Sequence, residues 1–191
     1  MAIRIIARSF SLKGKGFPAE PLESTLTLDE LNMSVDCLAA LLRCCGSKKW
    51  AAQMTSRRPF QDPQELFQTA DEIWQNLSLD DWQEAFSHHP KIGDKESLRA
   101  KFADTKKWAE GEQSGVQQAS EEVLTALADG NEVYEKKFGY IFIVCATGKS
   151  AGEMLMMLCA RLKNEKEEEI RVAAAEQMQI TRIRLEKLLS S

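Results

Sequence analysis

Tyr140-Ile141-Phe142-Ile143-Val144-Cys145-Ala146 is the stretch on which the fold turns. It is a continuous apolar run with β-branched residues, placed directly after Gly139, and taken alone it reads as a buried strand. A strand needs a partner, because backbone N–H and C=O groups left unpaired away from water are costly. The rest of the chain offers no second strand to pair with it. Two readings therefore remain: the start of a buried helix, or an extended piece whose main-chain groups serve a ligand.

Working outward, nearly everything after residue 33 carries helical signals. Ser34 is placed to cap a helix running to Cys45, with Val35, Leu38, Leu41 and Leu42 on its apolar face and Gly46 as its stop. Ser47 opens a short piece containing Trp50, Ala51 and Met54. Asp62-Pro63-Gln64-Glu65 combines a cap, a proline at the first helical position and a glutamate three after the cap. Leu66, Phe67, Ala70, Ile73, Trp74 and Leu77 then recur at helical spacing. Ser78 opens a helix bearing Leu79, Trp82 and Phe86, which delivers His88 and His89. The stretch from Lys101 to Gly115 is polar and broken by Gly111. Ser120 reopens a helix through Leu124, Leu127, Asn131, Tyr134 and Phe138, and Ser150 opens another with Met154, Leu155, Leu158 and Leu162. A charged helix from about Lys166 to Leu189 closes the chain, burying Ile170, Ala174, Ile180 and Leu188 or their neighbours; its run of Lys and Glu at the start reads as a solvated face. The expectation is an all-α fold: one helical domain of about seven to nine helices over residues 34–191, with no sheet.

Composition narrows the function. With 191 residues, 43% hydrophobic and 28% charged, the chain has the make-up of an ordinary globular domain. A net charge of −4 argues against a nucleic-acid partner, which calls for a basic face. Five cysteines with no Cys-x-x-Cys pair argue against both a disulfide framework and a zinc site. No apolar stretch approaches the ~20 residues that cross a bilayer, so no membrane span is expected. Residues 1–33 read as a basic N-terminal arm or targeting extension: Arg4, Arg8, Lys13 and Lys15 occur with no acid between Met1 and Gly16, and Pro18 and Pro21 follow. Arg4-Ile5, then Ser11-Leu12, is similar to an N-terminal peroxisomal signal, with Ser11 where such signals carry His or Gln. A mitochondrial-type presequence and a plain disordered arm are the competing readings, and the cytoplasm is the alternative location.

Both histidines of the chain lie in His88-His89-Pro90-Lys91-Ile92-Gly93. Pro90 disfavours helical geometry at the residue before it, so His89 stands at a helix exit on irregular backbone, where catalytic groups tend to be carried. Imidazole also exchanges a proton near neutral pH. The plainer reading is a helix C-cap, with a cationic His89 offsetting the helix dipole.

Four motifs in order decide between them. His89-Pro90-Lys91-Ile92-Gly93, Glu112-Gln113, Lys137-Phe138-Gly139-Tyr140-Ile141-Phe142-Ile143, and Ile180-Thr181-Arg182-Ile183-Arg184-Leu185 stand in the order and approximate spacing of the ureidoimidazoline decarboxylases, and the chain resembles that family over residues 34–190. Trp50, Arg58-Pro59-Phe60 and Trp82 are similar to its upstream pattern. The resemblance implies cofactor-free decarboxylation of 2-oxo-4-hydroxy-4-carboxy-5-ureidoimidazoline to (S)-allantoin in urate breakdown, by a homodimer, with no metal.

It also implies a site. His89 and Glu112 carry the catalytic role, His89 as acid or base and Glu112 orienting it or binding the ureido N–H groups. Gln113 donates and accepts, matching a ureido edge. Arg184 suits a planar anion through its forked donors. Pro90, Ala109, Glu110, Gly111 and the run Phe142, Ile143, Val144, Cys145 and Ala146 complete the substrate contacts. Ala109 departs from the family, which has Ser three residues before the Glu-Gln pair. Without the motif order, Glu112 and Gln113 read as surface residues, and Arg184 as a partner of Glu176 or Glu186. The rival functions are a non-enzymatic helical scaffold that binds a partner, and a decarboxylase-like enzyme with a drifted substrate.

Overall fold

A computed structural model describes residues 25–89 and 115–189, without side chains at 115–120. The basic arm up to residue 24 lies outside the described residues. Those described form eight helices and no strand: α1 (Leu28–Met33), α2 (Cys37–Cys45), α3 (Lys48–Ser56), α4 (Pro63–Gln75), α5 (Leu79–Ser87), α6 (Gly115–Phe138), α7 (Ala151–Arg161) and α8 (Lys166–Leu188).

The capping signals act where the sequence places them. Asp62 Oδ1 accepts from Glu65 N at 2.8 Å, with Pro63 in the first turn of α4. Ser78 with Asp81, and Ser150 with Glu153, close reciprocal capping boxes on α5 and α7.

Two starts differ from expectation. The helix expected to open at Ser34 begins at Cys37, because a Thr27–Glu30 capping box builds a separate helix, α1, that ends at Ser34. The Ser34 hydroxyl instead accepts from Asp36 N at 3.1 Å, a local turn that competes with helix. Val35 is consequently 95% exposed and not on an apolar face. Residues expected to belong to the arm are part of the packed domain: Leu31 is buried, and Leu26 N donates to Leu188 O at 2.7 Å. The second difference is α6, which starts at Gly115 and is already under way at Ser120.

α8 is the element around which the others gather. α2 and α4 pack on it, with α3 against α2 and α4, and α6 and α7 form a second packed pair. Three indoles pin these layers through their N–H groups. Trp50 donates to Ala70 O at 3.0 Å, Trp74 to Ala174 O at 2.9 Å and Trp82 to Trp74 O at 2.9 Å. Each satisfies a polar atom that burial would otherwise leave costly.

The deciding stretch is neither helix nor strand, and no strand pairs with it among the described residues. Gly139, at φ +85°, ends α6 in the left-handed region and releases the chain into it. Tyr134, Phe138, Tyr140 and Phe142 form a connected aromatic cluster over its start. Burial of the phenols, with the Glu169 hydrogen bond at Tyr134, raises both Tyr134 and Tyr140, the latter to about 12.

The start of α8 corrects the reading of a solvated face. Glu169 is 0% exposed and sits in a closed polar network. Its Oε1 accepts from Arg161 Nε at 2.7 Å and from the Tyr134 hydroxyl, and its Oε2 from Asn164 Nδ2 at 2.7 Å. Arg161 Nη1 donates to Ile143 O at 2.8 Å, and its guanidinium lies 4.6 Å from the Phe142 ring centroid. The buried pair thus ties α6, α7 and α8 to the extended segment, with the carboxylate satisfied on both oxygens.

Candidate active site

Gly46 sets the geometry from which the site is built. It ends α2 at φ +91°, and a Cβ there would stand 3.0 Å from His88 Cβ and 3.2 Å from Ala85 O. A residue without a side chain is what lets the exit of α5 close on the exit of α2. His88 caps α5 and is exposed; His89 follows, half-buried, with its N–H donating to Phe86 O at 3.1 Å.

From there His89 reaches α8. Its Nε2 lies 2.5 Å from Gln177 Oε1. Gln177 is 0% exposed, and its Nε2 donates to Cys45 O at 3.3 Å and to Thr181 Oγ1 at 3.1 Å. About two turns further along α8, Arg184 meets the same end of α2. Its Nη1 donates to Cys44 O at 3.2 Å and Arg43 O at 3.5 Å. The last carbonyls of α2, the negative end of its dipole, are therefore met by a guanidinium and an amide. Burial lowers the Arg184 pKa, but an arginine starts so high that it stays cationic at neutral pH.

Arg182, adjacent in sequence, faces elsewhere. It pairs with Glu186 at 3.6 Å and lies over the Phe67 ring on α4. Only Arg184 of the two contacts the end of α2.

The extended segment joins the same stretch of α8 through Glu176, whose Oε2 accepts from Cys145 N at 2.7 Å. Three of its carbonyls are also engaged. Ile143 O accepts from Arg161, Cys145 O from Lys149 Nζ at 2.6 Å, and Ala146 O from Lys149 N at 3.2 Å. The Phe142, Ile143, Val144 and Cys145 side chains are buried and that of Ala146 half-buried. Of the residues expected to form the site, α8 thus brings His89, Arg184 and Cys145 to one stretch, 176–184. Pro90, Ala109, Glu110, Gly111, Glu112 and Gln113 lie outside the described residues.

Chemically, this stretch of α8 engages a half-buried imidazole suited to proton transfer and, about two turns further on, a guanidinium suited to an anion. The neighbouring thiols are not nucleophiles at neutral pH, since burial pushes Cys44 and Cys45 up to about 12. Among the described residues, no three His, Cys, Asp or Glu side chains are grouped to hold a metal ion. No helix of the described residues is long and apolar enough to cross a membrane.

Glu176, Gln177 and Thr181 escaped the reading of the sequence as contributors here. The signal existed: Ile170, Ala174, Gln177, Thr181, Leu185 and Leu188 follow one helical stripe, so positions 177 and 181 put polar groups on a face otherwise apolar.

With this geometry in place, likenesses to known proteins bear on it. The family model described as OHCU decarboxylase matches residues 33–186. The "Uric acid degradation bifunctional protein TTL" of Arabidopsis thaliana is 40% identical over 148 residues, covering 77% of this chain and 45% of that protein. The chain thus spans under half the length of this plant relative. The "2-oxo-4-hydroxy-4-carboxy-5-ureidoimidazoline decarboxylase" of Xenopus laevis is 27% identical over 134 residues, covering 70% of this chain and 76% of that one. A crystal structure of OHCU decarboxylase in the presence of (S)-allantoin superposes with a TM-score of 0.63 at 40% identity, covering 78% of this chain and 96% of that one.

Proposed function

This chain belongs to the OHCU decarboxylase family, and from that premise we propose that it decarboxylates 2-oxo-4-hydroxy-4-carboxy-5-ureidoimidazoline to (S)-allantoin in urate degradation. The observation that carries the reading is that His89, through Gln177, and Arg184 are both tied to the carbonyls that end α2, each held by side chains or carbonyls of the scaffold. A proton-transferring group together with an anion-binding group is what the loss of a carboxylate requires.

The reaction breaks the bond between the ring carbon and its carboxylate, and the electron pair moves into the substrate's own polarised ring. A proton must then be placed on one face of the ring carbon bearing the ureido group, which fixes the handedness of the product. His89 manages that proton as acid or base. Arg184 orients the departing carboxylate through its planar donors. The family resemblance assigns Glu112 to orienting His89 or binding the ureido N–H groups, Gln113 to the ureido edge, and Pro90, Ala109, Glu110 and Gly111 to further substrate contacts. The apolar walls from Phe142 to Ala146 exclude water from the carboxylate.

The homodimer belongs to the same reading, as does a peroxisomal location based on Arg4-Ile5 and Ser11-Leu12. Sedimentation and the location of a tagged full chain test these separately. The activity is tested by generating the substrate in situ from urate with the two preceding activities, then following the rate and handedness of allantoin formation. A rate no faster than spontaneous decay, or racemic product, rules the activity out.

A further inference from the structure

The contact between His89 and Gln177 has a defined polarity. Cys45 O can only accept a hydrogen bond, so the Gln177 amide must turn its nitrogen toward it, at 3.3 Å. The same nitrogen reaches Thr181 Oγ1 at 3.1 Å. The amide oxygen is thereby directed at His89 Nε2, and an oxygen acceptor at 2.5 Å requires that nitrogen to be the donor. In the neutral ring the proton is then on Nε2, and Nδ1 carries the lone pair.

We propose that Gln177 is a positioning residue for His89, holding its imidazole with Nε2 protonated and turned toward α8, which fixes the orientation in which the ring meets the substrate. The inference rests on the acid–base role given to His89 above and adds what fixes the ring. Burial and the Cys45 carbonyl, which can only accept, set the orientation of the amide, so the ring inherits the rigidity of α8. Hydrogen bonding at one ring nitrogen is the general means by which a protein selects a histidine tautomer.

The chain's two histidines make the test direct. Long-range proton–nitrogen spectra of the uniformly labelled full-length protein distinguish Nε2–H from Nδ1–H rings, and His88→Asn assigns the signals. The wild type is expected to show neutral His89 as Nε2–H. In Gln177→Leu that signature is lost, and kcat falls by about tenfold or more while KM moves little. Gln177→Glu, which keeps an oxygen acceptor, restores the Nε2–H signature and part of the turnover. A wild-type His89 in the Nδ1–H form overturns the proposal even if Gln177→Leu does not fold. So does a Gln177→Leu protein that loses the tautomer yet keeps its turnover, or that keeps both. His89→Asn run in parallel separates the two levels. Full turnover there overturns the acid–base reading and this proposal with it. Loss there with full turnover in Gln177→Leu overturns this proposal alone.

Discussion

Near its start, α8 buries an anion, and about two turns later it buries a neutral amide. Glu169 and Gln177 are both 0% exposed, yet their surroundings differ in kind. Glu169 is met by a guanidinium, a phenol and an amide, and the network clamps three helices to the extended segment. Gln177 is met by a carbonyl, a hydroxyl and an imidazole. A buried charge is tolerable only when fully paired, and once paired it is hard to move. A neutral acceptor orients an imidazole without the strong hold on its proton that a carboxylate exerts. On the proposed mechanism, one part of α8 stays fixed and the other lets a proton travel.

That contrast can be broken from either side. The largest expected effect is on stability at the charged end. Glu169→Gln leaves Arg161 buried without its counter-charge and is expected to cost about 3–5 kcal/mol in denaturant unfolding. A loss below ~1 kcal/mol means the network is not what holds the extended segment. At the other end the effect is on substrate. Arg184→Lys keeps the charge but loses the planar fork, and KM is expected to rise on the order of tenfold with kcat changed less. A fall in kcat at constant KM assigns Arg184 to the transition state instead. Between the two ends, Trp74→Phe removes the indole bond to Ala174 O and is expected to cost about 1 kcal/mol. Turnover should survive it; a larger loss of activity than of stability means that the position of α8 itself limits the reaction. The smallest effect is expected at His88, exposed beside the site. His88→Asn should leave both KM and kcat unchanged, and a clear loss would move the acid–base role off His89.

Much of the fold was legible because its signals are local. Asp62-Pro63, Ser78 and Ser150 act through side-chain oxygens within four residues, so each helix start is decided by its own neighbourhood. Ser34 misled for the same reason in reverse: it competes with helix through Asp36, while the effective cap was Thr27, upstream of the expected boundary. The extended stretch Tyr140–Ala146 was recognisable as exceptional, but not what engages it. Arg161 and Glu176 reach it from elements distant in sequence. His89 and Arg184 were found through motif order. Gln177, which links His89 to α8, was passed over because one amide in an apolar stripe resembles many surface glutamines until the helices are assembled. Glu169 was hidden by its acidic neighbours, which are solvated although it is not.

The central claim is that His89 moves the proton of the reaction, and His89→Asn tests it most directly. Steady-state turnover, corrected for spontaneous decay of the substrate, should fall by at least ~100-fold with the thermal midpoint little changed. The residual allantoin should lose its (S) excess, because protonation would then be left to solvent. Near-normal turnover with (S)-allantoin as product would contradict the account and leave His89 a structural residue at the exit of α5.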